Sequence, residues 1–381
     1  MGRTRTKTRK APLPLPAPEI AQVKVSASPS VAALLEKAQE LIVQCNYELA
    51  GRFVERVLEW SPNDKEALEM QGVLLLETGN LDAAKQTFQS LISSDTDASS
   101  LTPPAAHLYL AQLSDDDPQL ALQHYRAAVD ILFVQLKGKE RVVESAASKN
   151  DEQEIKNTIV RALIGQVEIW MDPAYDLCFD PAAEKNCEDL LNLALRTDPE
   201  NVEALQSLAS VRMSQQRPND AKTILEKAWS SWKDLEPDDP NLPPIPSRLG
   251  LTKLFLELSL FTPALLALQG IMAADDEEVE AWYLEGWCFF LMAEQAHENG
   301  GKLDEISWAD LARDARDCLE TCKTLHINQE HPDAPLLEHV GELIARLEDL
   351  GVQPFPDEDG QDEDVWEDVE GADSDSDVDM S

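Results

Sequence analysis

Glycine is scarce in this chain, 15 among 381 residues, and none of it forms a Gly-rich phosphate loop. Aromatic residues make up only 6%. The six cysteines, at 45, 178, 187, 288, 318 and 322, have no regular spacing. That excludes a disulfide framework, and they read as reduced thiols of a cytosolic or nuclear protein. No stretch approaches the roughly 20 apolar residues of a membrane helix. The basic start runs into Pro12, Pro14, Pro16 and Pro18 instead of an apolar core, so no secretory signal is expected. The six histidines show no Ser/His/Asp or Cys/His order tied to a turn motif, and the reading is a non-enzyme without cofactor or metal.

Positive charge is the other shortage. Lys plus Arg is 32 against 72 Asp plus Glu, a formal charge of −40. The ends pull in opposite directions. Residues 1–10 carry five bases (Arg3, Arg5, Lys7, Arg9, Lys10) and no acid, whereas residues 357–381 carry thirteen acids and no base. Setting both aside leaves 27 bases and 59 acids, a net of −32. Such a body repels nucleic-acid phosphates and anionic lipid and attracts basic protein.

What the chain does have is helical periodicity. Residues 1–29 lack it and are expected to form a basic, Pro-rich disordered arm. From Ser30 onward apolar residues fall at helical spacing, as in Val31, Leu34, Leu35, Ala38, Leu41 and Ile42, while strand alternation and hairpin signals are nearly missing. The pattern then repeats. Ala50, Val54 and Val57, closed by Pro62, recur 34 residues on as Ala84, Phe88 and Leu91. Cys187, Leu191, Ala194 and Pro199 recur as Ala221, Leu225 and Ala228. Leu68, Gly72 and Leu75 precede Ala84 as Leu205, Ala209 and Arg212 precede Ala221, and Trp282, Gly286 and Phe289 continue the series.

With these residues the sequence resembles the tetratricopeptide repeat, a helix-turn-helix unit of 34 residues. A small residue of the first helix is expected against a small residue of the second, with a proline to end the unit. Gln71 and Glu285 depart from the pattern where it wants Leu. The expected fold is all-α: a superhelical solenoid of about seven helix pairs over residues 30–350 with a capping helix at Pro335–Leu350, then an acidic disordered tail over 351–381. The second helix of the third pair is expected to run on through Lys137–Lys156, and the seventh pair to break at Asn299-Gly300-Gly301.

In such a solenoid the first helices line the inner face. The positions projecting there are Glu66, Glu69, Val73, Glu203, Gln206, Lys253, Glu257, Glu280, Tyr283 and Trp287. The plain alternative is a solvated face. A groove of carboxylates with two aromatics suits an extended basic segment, since carboxylates pair with Arg and Lys and ring faces accept guanidinium. A clamp for acidic chaperone C-termini needs Lys-x3-Asn in the first helix; here Leu41 follows Lys37 at that spacing, so the sign is wrong. Cys318, Cys322 and His326 share one helix face, a spacing that can begin a metal site, but small buried thiols are the expected role. In the tail, Asp364, Trp366, Glu367 and Asp368 offer a partner contact, and Ser374 and Ser376 each have an acid three residues on and are candidate phosphosites. The basic arm reads as an import signal or a transient nucleic-acid contact.

The basic start at Met1-Gly2-Arg3, the run Cys45-Asn46-Tyr47-Glu48-Leu49-Ala50, the helix end Leu74-Leu75-Leu76-Glu77-Thr78-Gly79 and the Asp/Ser-rich finish are similar to those of the fungal assembly chaperones of large-subunit ribosomal protein four. The resemblance implies a dedicated chaperone of the cytoplasm and nucleus. It would capture that protein by its long, basic, rRNA-binding loop and release it at the pre-60S particle, with an import receptor as a further partner. A generic repeat adaptor or co-chaperone and an acidic histone chaperone are the rival readings.

Overall fold

The computed structural model describes residues 29–93, 103–139, 146–237 and 239–353. The arm and the acidic tail, including Asp364, Trp366, Glu367, Asp368, Ser374 and Ser376, lie outside the described residues.

Among the described residues the chain is built of fifteen α-helices. In chain order they are α1 (Val31–Val43), packed on α2 (Tyr47–Trp60); α3 (Lys65–Glu77), packed on α4 (Leu81–Ser93); α5 (Pro104–Gln112); α6 (Pro118–Lys139); α7 (Ala146–Met171), packed on α8 (Ala183–Thr197); α9 (Val202–Ser214), packed on α10 (Pro218–Ser230); α11 (Ile245–Glu257), packed on α12 (Phe261–Met272); and α13 (Val279–Glu298), packed on α14 (Trp308–Asn328), so six of the seven expected pairs form within the units. The terminal helix α15 (Ala334–Asp349) caps the series. This is the expected all-α repeat fold. The chain gathers into two compact units that divide between Leu113 and Ser114, so α1–α5 belong to the first and α6–α15 to the second.

Local chemistry sets the helix starts. Ser30, Asn46, Asp64, Asn201, Ser307 and Asp333 each turn a side-chain oxygen to the backbone N–H three residues on, satisfying a donor the helix leaves open. One turn device recurs inside the pairs. Cys45, Gly79, Gln216 and Ser259 all adopt positive φ, between 54° and 78°. In each case the following N–H closes onto a carbonyl five residues back: Asn46 on Leu41, Asn80 on Leu75, Arg217 on Arg212 and Leu260 on Phe255. Only one of the four is glycine.

Packing inside a pair follows the repeat positions, with one difference. The space that a Cβ on Gly72 would need is filled by the Phe88 ring, not by the small Ala84, and Leu319 fills the corresponding space at Gly286. Close helix approach here pairs a small residue with a large one a turn beyond the buried alanine, which fills the gap at crystal-like density.

One expectation about the irregular pairs needs correction. The charged stretch 137–156 is not one helix: α6 ends at Lys139 and α7 begins at Ala146. The two lie side by side and antiparallel, with Tyr125 against Gly165 and Lys139 Nζ 2.5 Å from Asp151. Five bases and five acids make that stretch look like a continuous solvated face and hide the division into two helices. The seventh pair breaks at Asn299-Gly300-Gly301 as expected, and the connection that follows is ordered. Asp304 and Glu305, both at positive φ, turn a two-residue hairpin of β1 (Lys302–Leu303) and β2 (Ile306–Ser307). The inserted segment between α7 and α8 holds a 3-10 turn at Asp176–Phe179 and is tied down by the Tyr175 hydroxyl donating to the Asp115 carbonyl at 2.9 Å.

Candidate client-binding groove

In the second unit the groove positions occur on successive first helices, and polar contacts join each helix to the next. Arg161 of α7 lies 3.6 Å from Glu203 of α9. The Ser247 hydroxyl of α11 donates to Glu203 at 3.5 Å, and the Gln206 amide donates to the Ser247 carbonyl at 2.9 Å. Lys253 of α11 forms an ion pair with Glu280 of α13. The Tyr283 hydroxyl of α13 meets Nδ1 of His339 on α15 at 2.8 Å. Trp287 stacks on Tyr283 with ring centres 5.9 Å apart, and His339 stands edge-on to both rings.

Charge in this face is only partly compensated. Glu168 and Glu257 have no ion-pair partner among the described residues, and Glu257 is exposed one turn beyond Lys253. Burial raises the Glu168 pKa above the ordinary carboxylate value, and the nearby Glu203 charge raises it further. Burial likewise pushes the Tyr283 phenol up to about 12, with Cys322, Glu280 and Asp333 adding to it. The face is therefore an acidic environment with an aromatic end, where added positive charge relieves repulsion.

Glu66 and Glu69 sit in the first unit, on α3. Glu66 lines a cavity of about 720 Å³ with Leu35, Glu36, Glu40, Val43 and Met70. Burial first, then Glu66, holds the Glu69 pKa above the usual range. The predicted residues thus fall into two groups: Glu203, Glu257, Glu280, Tyr283 and Trp287 in one unit, Glu66 and Glu69 in the other.

Sequence reasoning missed Arg161 and His339. Arg161 stood five residues past the charged stretch 137–156, after the uncharged run Asn157-Thr158-Ile159-Val160. His339 stood on the polar side of a helix read only for its buried stripe of Leu336, Val340, Leu343, Ile344 and Leu347. Its spacing to Tyr283, 56 residues, carries no local signal.

Cys318 and Cys322 are buried and serve packing. The Cys318 thiol donates to Glu285 at 3.6 Å and the Cys322 thiol to the Val279 carbonyl at 3.4 Å; burial raises both pKa values, that of Cys322 to about 12. His326 is spent on the Asp333 carbonyl at 2.8 Å. Among the described residues no three His, Cys, Asp or Glu side chains converge to hold a metal.

Helix pairs of this geometry with a polar first-helix face define a tetratricopeptide-repeat protein, and residues 66–97 match the tetratricopeptide repeat family. Over 339 residues the chain is 30% identical to a protein of Schizosaccharomyces pombe named as a probable assembly chaperone of rpl4, covering 88% of this chain and 95% of that one. A protein of Emericella nidulans with the same name is 29% identical over 385 residues, 95% of this chain and 93% of its own. The solved structure of an assembly chaperone of RpL4 (Acl4, residues 1–338) superposes with a TM-score of 0.64 at 28% identity, covering 72% of this chain and all of that one. The chain belongs to the family of assembly chaperones of rpl4.

Proposed function

We propose that this protein is a dedicated, non-enzymatic chaperone of a newly made large-subunit ribosomal protein, the counterpart of the rpl4 for which its relatives are named. It holds a basic, extended segment of that client along the first-helix faces and keeps it soluble. It then escorts the client from cytoplasm to nucleus, with an import receptor, and releases it to the pre-60S particle. The observation that carries this reading is 30% identity across 95% of a relative named as an assembly chaperone of rpl4. The acidity of the first-helix faces supports it. Glu66, Glu69, Glu168 and Glu257 are carboxylates without a bound cation among the described residues, and client arginines and lysines supply the missing charge. Tyr283 and Trp287 add packing that salt does not screen.

The test is a titration of the full chain with a basic client peptide at two salt concentrations, with histone tails as competitor. The chaperone reading expects a component that survives high salt, where exposed charges are screened over roughly 8 Å at physiological strength and less beyond. Trp287→Ala should remove that component, about 2 kcal/mol for a hot-spot aromatic. Equal affinity for histone tails with complete loss at high salt would favour an acidic histone chaperone. Stoichiometric recovery of heat-shock chaperones from cells in place of one ribosomal protein would favour a generic adaptor.

A further inference from the structure

Away from the first-helix faces, the end of α10 and the pair α11–α12 enclose a second pocket, of about 280 Å³. Its lining includes Trp229, Trp232, Lys233, Arg248 and Leu266. Arg248 is 5% exposed and Trp232 6%. The Arg248 guanidinium gives one Nη1 donor to the Gly270 carbonyl at 3.2 Å, in the last turn of α12. That contact caps the helix end, where a positive charge is favourable. It leaves the guanidinium's charge unpaired among the described residues: no carboxylate there forms a salt bridge with it, and Asp234, which lines the same pocket, makes no bond to it. Two donors on residues that line this pocket, Arg248 Nε and Trp232 Nε1, are buried with no acceptor among the described residues.

A buried N–H without a partner costs free energy, and a buried cation without a counter-charge costs more. In a chain of net charge −40, a buried guanidinium that forms no ion pair among the described residues is a feature that asks for an acceptor. Lys233, held 5.2 Å over the Trp229 ring, adds a second cation at the mouth. Leu266, half exposed, adds an apolar wall.

We propose that this pocket is a carboxylate-binding site, in which an acidic side chain accepts from Arg248 Nε and Trp232 Nε1 while its apolar neighbours lie against Trp229 and Leu266. The volume suits one or two side chains and not a folded domain. One source is on the same chain: residues 354–381 follow the last described residue and carry thirteen acids with no base, and the run Asp364-Val365-Trp366-Glu367 joins carboxylates to an apolar pair. Tethering gives such a segment an effective concentration that no free acid in solution matches. Held there, the tail is kept off the first-helix faces, where its charge would have no use. The second source is a carboxylate from outside the chain. This inference is independent of the client reading, since no groove residue takes part.

The test follows the Trp232 indole N–H by nuclear magnetic resonance in the full chain, assigned with Trp232→Phe. Two tails are compared, the native one and one with the acids of 357–381 changed to Asn and Gln, and each is titrated with acetate against chloride at equal ionic strength. If the tail fills the site, the indole N–H resonates downfield with the native tail and is indifferent to acetate. With the neutral tail it moves upfield, and acetate restores it. If the ligand comes from outside, the two tails behave alike and acetate shifts the resonance in both, which upholds the site and rejects the tail as its occupant. Arg248→Lys, which keeps the charge but loses Nε, should weaken the acetate response several-fold. An indole N–H that responds neither to the tail nor to acetate would overturn the proposal and leave Arg248 as a helix cap alone. Client-peptide binding, measured on the same samples, reports on the other site and can fail or succeed separately.

Discussion

The hydroxyl of Tyr283 and Nδ1 of His339 meet at 2.8 Å, fastening the last repeat's first helix to the terminal helix. The contact closes the aromatic end of the acidic face and also occupies the edge of Trp287. His339→Ala should cost about 1 kcal/mol of stability, the usual worth of one such bond. It should also lower the Tyr283 pKa from about 12, because the ring gains solvent. The raised phenol pKa means that this residue's contribution is fully present below pH 10 and is lost as pH climbs through 12. Denaturant unfolding and the phenolate absorbance, read across pH 9–12, check both; an unchanged titration would show that His339 does not shield the ring.

On the proposed reading, Lys253 would compete with a basic client for Glu280. The ion pair is half exposed, so removing the lysine costs little stability. Lys253→Met should therefore tighten binding of a basic peptide, by a few-fold at low salt and less at high salt. Wholesale charge reversal is the cruder experiment: a lysine at 203 or 280 would face Arg161 or Lys253 and lower stability along with binding. Glu257→Gln, with no partner to strand, should weaken the peptide while leaving the melting temperature in place.

The left-handed turns make a separate stability prediction. Cys45, Gln216 and Ser259 hold the conformation that Gly79 holds without strain. A non-glycine residue in it carries a cost on the order of 1 kcal/mol. Cys45→Gly, at an exposed side chain, should raise stability by up to about that amount, and Ser259→Gly likewise. Thermal melts of the single and double variants decide it; a loss of stability would mean that the side chains hold the turns.

Acid should stabilise the protein. Glu285 is buried in the seventh pair, and burial outweighs the hydrogen bond from Cys318, so its pKa lies above the ordinary 4.5. Glu69, Glu168 and Asp314 shift the same way, chiefly through burial; Glu188 shifts down through the Arg212 hydrogen bond and opposes them. For a group whose folded pKa is raised, the stabilisation is present below the unfolded pKa and is lost as pH rises through the folded one. Stability should accordingly fall as pH rises above about 4.5. Glu285→Gln keeps an acceptor for the Cys318 thiol and should gain about 1 kcal/mol at pH 7.5 and almost nothing at pH 4.5. Denaturant midpoints at the two pH values provide the comparison.

The repeat was legible because its signal is periodic: Ala50, Ala84, Cys187, Ala221 and Ala264 are all buried where the helix pairs need them. Helix bounds were legible for the same reason, and the terminal helix runs Ala334–Asp349 against an expected Pro335–Leu350. The division between α6 and α7 was not, because balanced charges carry no apolar rhythm. The groove was legible as a set of positions and a sign, but not as a set of contacts. Which helix brings a cation to Glu203 or a ring to Tyr283 depends on packing between repeats, and Arg161 and His339 lie 42 and 56 residues away in sequence. Nor does any local pattern mark Arg248 as buried; Leu249 and Leu251 beside it set the stripe that drags it inward.

The Arg161–Glu203 and Lys253–Glu280 pairs have one more consequence. A face that carries its own cations is already in a loaded state, so on the proposed reading a client would not simply add to it; it would replace what is there, as one ion displaces another on an exchange resin. Each client arginine that took Glu203 or Glu280 would set an internal Arg or Lys loose on a tether one side chain long. When the client left, that tethered cation would return to its carboxylate without waiting for diffusion. Capture would then yield less free energy per contact than the count of acids implies, and letting go would be correspondingly easy, which is the property a carrier needs if it is to surrender its cargo intact.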